Sequence, residues 1–199
     1  MKTIVDALVQ VGLVVGISYL IYLVSKRRVK GFMTWIGLKL PNNPTQRKKI
    51  LMLLGISIGL AGLPIGLLLM AGESGDLNMA YESVRGDHPV WLALIFKSMI
   101  QTALSEEILF RGLFAKRLIN WLGYKKGNLI QALVFGLIHS FAILTYGWSL
   151  GVILVLMIGI TAYFYGYIME CLAKGSIFYG WLIHGLTNLM AFTLFYLIQ

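Results

Sequence analysis

Glu106, Glu107 and Arg111 stand together in the stretch Ser105 to Gly112, inside a segment that otherwise reads as lipid-spanning. His139 lies in the next apolar segment, and His184 and Asn188 lie in the last one. Carboxylates, a guanidinium, imidazoles and a carboxamide are the types that pair with one another, line water, or move protons and stabilise developing charge. Each ionised group at the centre of a bilayer costs about 2.5–3.5 kcal/mol even on a lenient scale, so a chain keeps such a set for one of those reasons. The spacing divides the set. Glu107 and Arg111 are at i,i+4, the separation of a carboxylate–guanidinium pair on one helix face. Glu106 points about 100° away from Glu107 on a regular helix and is left to face another neighbour. Phe135 with His139, and His184 with Asn188, repeat the i,i+4 spacing, so each pair shares a face.

The elements that must position these groups follow from composition. The chain has 199 residues, of which 58% are hydrophobic and 13% charged. A soluble domain this short cannot bury that much apolar surface, and it would carry about twice the charged fraction. The expected fold class is therefore all-α, a polytopic transmembrane bundle of about six helices. Its spans are expected at Ile4 to Val24, Ile50 to Ala71, Pro89 to about Leu118, Asn128 to Leu144, Leu150 to Met169 and Ile177 to Ile198. Residues 1–88 form the two N-terminal helices with a basic loop, and 89–199 form a four-helix core.

The net charge of +9 could suggest nucleic acid, but the basic residues cluster between apolar runs and no basic stripe is interleaved with aromatics. That placement obeys the positive-inside rule, which makes membrane lipids the expected partner and excludes nucleic acid. Ser25 to Lys49 carries eight basic residues and no acidic one, so it is cytoplasmic, and Pro41 and Pro44 break helix there. Gly72 to His88 holds four of the eight acidic residues and is the outer loop, with His88 solvated. Both termini then lie outside. Ile4 to Val24 is read as a retained helix, because Lys26-Arg27-Arg28 follows it instead of a cleavage site. A single Cys171 excludes an internal disulfide and a multi-cysteine zinc site. Oligomeric state leaves no mark in the sequence.

This topology brings the polar groups to one level. Glu106 lies ten residues before Lys116, His139 eleven after Asn128, and His184 ten after Lys174. At about 1.5 Å per residue each sits roughly 15 Å from the basic end. Taken singly, each has a structural reading: Glu107–Arg111 as an ion pair fixing register, and His139 or His184–Asn188 as interhelix contacts. Lys97 reads as paired or snorkelling. Agreement in depth across three helices argues for one functional site. Gly112, Gly136 and Gly185 beside these motifs would permit close helix approach. Gly55-Ile56-Ser57-Ile58-Gly59 matches a serine-hydrolase elbow on paper. It lacks the strand-to-helix turn, and Gly55, Gly59, Gly62 and Gly66 read as a helix-packing face. Tyr163, Tyr165 and Tyr167 read as an interfacial aromatic belt.

Glu106-Glu107-x-x-x-Arg111, Phe135-x-x-x-His139 and His184-x-x-x-Asn188, in that order, resemble the three motifs of the CPBP family of intramembrane endopeptidases. That family includes the CAAX-prenyl protease known as Ras-converting enzyme and bacterial proteins linked to bacteriocin processing and self-immunity. The resemblance covers about Lys97 to Gln199. It implies that Glu106 is a general base activating water, that His139 holds or polarises that water, and that His184 and Asn188 donate to the oxyanion. Glu107 with Arg111 would brace Glu106. A water, a base and oxyanion donors in a dry pocket are what peptide hydrolysis requires. The implied substrate is a membrane-associated or lipidated peptide, reached through an opening on the cytoplasmic side. A metal-free site is the favoured reading, with zinc held by Glu106, His139 and His184 as the alternative; no His-Glu-x-x-His motif is present, and asparagine is a poor zinc ligand. Two other readings stay open at this point: a non-catalytic immunity or scaffolding protein, and a proton-coupled transporter.

Overall fold

The computed structural model describes residues 1–27, 29–41, 47–70 and 82–198. It is an all-α bundle, with no strand among the described residues. We label the helices α1 (Lys2–Lys26), α2 (Phe32–Ile36), α3 (Arg47–Met70), α4 (90–122), α5 (Tyr124–Leu137), α6 (Phe141–Leu172) and α7 (Phe178–Ile198). Among the described residues, Lys2–Lys26, Phe141–Leu172 and Phe178–Leu197 are long and apolar enough to cross a membrane. Leu8, Val9, Leu13, Ile17 and Leu20 of α1 are exposed, an apolar face suited to lipid and unsuited to water.

Helix α4 is the axis of the site, and it is not a regular α-helix. Phe96–Leu104 and Glu107–Ala115 are wound in wide π turns between α-helical ends Val90–Ile95 and Lys116–Leu122. Neighbours capture carbonyls along the first wide segment. Trp181 of α7 donates its indole N–H to Met99 O at 2.7 Å, and Gln10 of α1 donates Nε2 to Gln101 O at 3.0 Å. Donors inserted into the backbone ladder in this way widen a helix, and such windings occur frequently at functional sites.

Helices α5 and α6 form an antiparallel hairpin. Asn128 Nδ2 donates to Tyr163 O at 3.0 Å and Gln131 Nε2 to Ala162 O at 2.9 Å. Further along, a Cβ on Gly136 would stand 2.9 Å from Val155 O, and one on Gly151 would stand 2.4 Å from Ile143 Cα. The pairings converge on Gly147, whose φ of 79° and ψ of 169° interrupt α6. The reversal thus falls at the expected Tyr146-Gly147-Trp148 turn. The fourth expected span is itself interrupted at 138–140, so His139 sits at a break between helical segments instead of inside one.

The basic loop contains a helix that its prolines did not suggest. Gly31 and Gly37, both left-handed, bracket Phe32–Ile36. Phe32 and Ile36 are buried with Tyr22, Ile108, Ala115, Ile119, Met169 and Ile177. The Ile36 carbonyl lies where a Gly112 Cβ would stand 2.5 Å away, so the absent side chain admits the loop to α4. Pro44, Ala71 and residues 72–81 of the expected outer loop fall outside the described residues.

Candidate active site

The three helices expected to carry polar groups meet around one cavity of roughly 370 Å³, lined by Glu106, Arg111, His139, His184 and Asn188. Glu107 stands behind this wall, fully buried. Its Oε1 lies 3.1 Å from Arg111 Nη1 and 3.2 Å from His184 Nδ1, so one carboxylate oxygen serves both partners. Glu106 approaches the other side of the same ring, with Oε2 at 3.8 Å from His184 Nε2. The division expected from the spacing is therefore present: Glu107 is paired and sealed, while Glu106 is partly open to the cavity.

Arg111 is as buried as its partner, at 1% exposure. Its guanidinium is stacked 4.1 Å from the Phe135 ring and 5.4 Å from the Tyr165 ring. Apart from the Glu107 approach, which lacks hydrogen-bond geometry, its nitrogens have no hydrogen-bond partner among the described residues. The two π faces supply attraction that water would otherwise provide.

The hydrogen bonds fix what each imidazole can do. His139 Nδ1 lies 2.7 Å from Phe135 O. A peptide carbonyl only accepts, so Nδ1 carries the proton and the neutral ring presents Nε2 as an acceptor. His184 donates Nδ1–H to the Glu107 carboxylate, so it donates through Nε2 only as an imidazolium. Asn188 makes no hydrogen bond to any described group and faces the cavity as a free amide.

Glu106, His139 and His184 do not gather as a three-ligand cluster, and no such His, Cys, Asp or Glu group occurs among the described residues. We derive no step through a metal.

The remaining walls are largely apolar and run one way. Leu154, Met157 and Ile158 of α6, Ala191 and Phe192 of α7, and Leu60 of α3 line the cavity beyond the polar groups. Tyr146, next to the Gly147 turn, is also in the wall. The cavity thus extends from the polar level toward the Gly147 end, away from Lys116, Lys125 and Lys126. The expected opening at the basic end is not where these walls lead. Phe141 and Ala142, just after the break at 138–140, form part of the cavity wall on the far side of His139.

The family described as type II CAAX prenyl endopeptidase Rce1-like matches residues 88–190. The chain belongs to this family. Membership makes it, at the family level, a CAAX-type intramembrane protease. No curated protein and no solved structure matches the chain.

Sequence reasoning about the endopeptidase missed Tyr165. Grouped with Tyr163 and Tyr167 as interfacial belt, it instead lines the cavity, with its ring 6.1 Å from that of His184. Tyr167 does sit at the basic end, its hydroxyl receiving Lys49 Nζ at 2.5 Å. The overlooked signal was periodicity. Leu154, Ile158, Thr161 and Tyr165 fall at steps of four, three and four on one face of α6, and Thr161 and Tyr165 are polar positions in an apolar helix. The glycines divide as well. Gly112, Gly136 and Gly185 make the expected close approaches, whereas Cβ atoms at Gly55, Gly59, Gly62 and Gly66 would meet nothing within 4 Å. Those four are therefore no packing seam among the described residues. Ser57 is buried and bonded to Leu53 O at 2.8 Å, with no role as a nucleophile. His88 is exposed, as expected, and Lys97 is half-buried.

Proposed function

We propose that the protein is an intramembrane glutamic endopeptidase that hydrolyses a peptide bond of a membrane-associated or lipidated substrate. The single observation that carries this reading is the lining of one largely apolar cavity by Glu106, His139, His184 and Asn188. Glu106 takes a proton from water as the water oxygen bonds to the scissile carbonyl carbon. His139 Nε2 accepts the second water hydrogen and so orients the nucleophile, a role its fixed tautomer supports. Asn188 and imidazolium His184 donate to the oxyanion, an interaction worth about 3–4 kcal/mol per donor in other enzymes. On collapse the C–N bond breaks, and Glu106 returns its proton to the leaving nitrogen. Glu107 and Arg111 hold His184 and, through it, the geometry facing Glu106.

The reaction is read as metal-free. The chain is read as a multi-pass membrane protein with its basic loops cytoplasmic, both termini outside, and lipids around the exposed faces of α1 and α6. With that orientation, the cavity walls lead toward the outer leaflet side.

The test is cleavage by purified protein. Glu106→Ala and His139→Ala should each abolish hydrolysis while leaving a folded, extractable chain. Retained hydrolysis in either variant removes the mechanism. A Glu106→Gln variant that keeps full cellular activity would favour a non-catalytic immunity or scaffolding role instead.

A further inference from the structure

The polar inventory of the cavity leaves one buried donor without a role. Tyr165 is 3% exposed, and its hydroxyl bonds to no described group. That oxygen is nevertheless absent from the sealed, unsatisfied atoms, and the residue lines the cavity, so its remaining access is to the cavity. Its ring is held in place by its surroundings. Arg111 of α4 lies 5.4 Å from the ring centroid, and the His184 ring of α7 lies 6.1 Å away at a tilt of 35°.

Most of the other polar side chains are already directed. His139 presents an acceptor, and His184 donates through Nε2 only when doubly protonated. Thr161 and Thr187 line the cavity but give their protons to Met157 O and Ile183 O at 2.9 and 2.8 Å. Thr102 stands one turn from Glu106 on α4, on the side of the base. Asn188 is then one neutral donor beside His184, and the buried Tyr165 hydroxyl is another. A tetrahedral oxyanion is stabilised by several converging donors in a water-poor site, and a neutral phenol supplies one without adding buried charge.

We propose that Tyr165 is a further catalytic residue, a second neutral oxyanion donor whose hydroxyl hydrogen-bonds to the scissile carbonyl oxygen. No bond to Tyr165 forms or breaks, and its proton stays on the phenol while the contact strengthens as charge develops. This rests on the endopeptidase reading above.

The test uses the full chain in phosphatidylethanolamine–phosphatidylglycerol vesicles, with a farnesylated, internally quenched CAAX peptide as probe. Tyr165→Phe keeps the ring over Arg111 and removes only the oxygen. We expect kcat to fall about 100-fold, with KM and thermal midpoint unchanged. A peptide aldehyde, whose hydrate imitates the tetrahedral intermediate, should lose affinity in proportion to kcat/KM. Replacement of Tyr165 by 4-aminophenylalanine, which still donates, should restore most of the rate; this arm holds even if the Phe variant folds poorly. Wild-type kcat or unchanged aldehyde affinity in Tyr165→Phe overturns the proposal, while loss of activity in Glu106→Ala leaves the endopeptidase reading standing. A wild type that cleaves the probe no faster than Glu106→Ala removes that reading, and the proposal with it.

Discussion

Replacing Glu107 with methionine should destabilise the protein strongly, and replacing Arg111 with methionine as well should recover most of the loss. In the native site both side chains are essentially sealed, at 0% and 1% exposure, and Glu107 Oε1 is the carboxylate oxygen that Arg111 Nη1 reaches. Removing one partner of such a pair leaves a buried uncompensated charge, which costs about 3–5 kcal/mol. Stacking on Phe135 and Tyr165 persists in the variant and shelters the guanidinium, which places the expected loss near the lower figure, about 3 kcal/mol. For a chain of this size that corresponds to a fall of about 6–12 °C in thermal midpoint. Removing both charges replaces the pair with apolar volume, a change that is often neutral. The assay is thermal unfolding in one detergent, followed by intrinsic tryptophan fluorescence, with cleavage measured in parallel. Both variants should be inactive, because His184 Nδ1 loses its acceptor in each. A fall under 2 °C in Glu107→Met, or a double variant less stable than the single, would refute the account of Arg111 as a charge held by Glu107.

Gly166→Ala should cost several kcal/mol, because its Cβ would fall 1.8 Å from Asn128 Oδ1 and break the Asn128–Tyr163 and Gln131–Ala162 bonds joining α5 to α6. Unfolding midpoints will show it, and an unchanged midpoint contradicts the packing. Beside the start of α1, the N-terminal ammonium and then the Thr3 groups hold the Asp87 carboxyl well below its ordinary value near 4. A depressed carboxylate stabilises above its unfolded pKa and loses that contribution as pH falls through the folded one. Attachment of α1 should thus persist at pH 5 and weaken only below pH 4, as read by limited proteolysis near residue 3, and Asp87→Asn should remove this acid dependence. Finally, Tyr146→Cys in a Cys171→Ser background should be labelled by an impermeant maleimide from the face opposite Lys125 and Lys126. Labelling from the same face as those lysines would overturn the direction assigned to the cavity.

The apolar runs and their basic punctuation were enough to predict an all-α bundle with a polar level shared by three helices. Hydrophobic length and charge placement are one-dimensional properties that lipid reads directly. The i,i+4 spacing likewise forecast the Glu107–Arg111 pair, since it depends only on helix geometry. The family motifs supplied the identities of Glu106, His139, His184 and Asn188, and all four line one cavity.

What sequence alone could not decide were matters of contact between distant segments. The carbonyls of Met99 and Gln101 in the first wide segment of α4 receive donors from Trp181 and Gln10, far away along the chain. The choice of His184 Nδ1 for Glu107, the carbonyl bound by His139, and the cavity's course toward Gly147 are likewise set by packing. Tyr165 shows the limit most plainly. Three tyrosines spaced at alternate positions look equivalent in a sequence, but helical rotation sends them to different surroundings. Tyr167 meets Lys49 at the basic end, while Tyr165 turns inward between Arg111 and His184. Residue types and spacing determined which chemistry was available, and the packing of α4, α6 and α7 decided which groups could reach it, because burial removes water and leaves only the neighbours that the fold supplies.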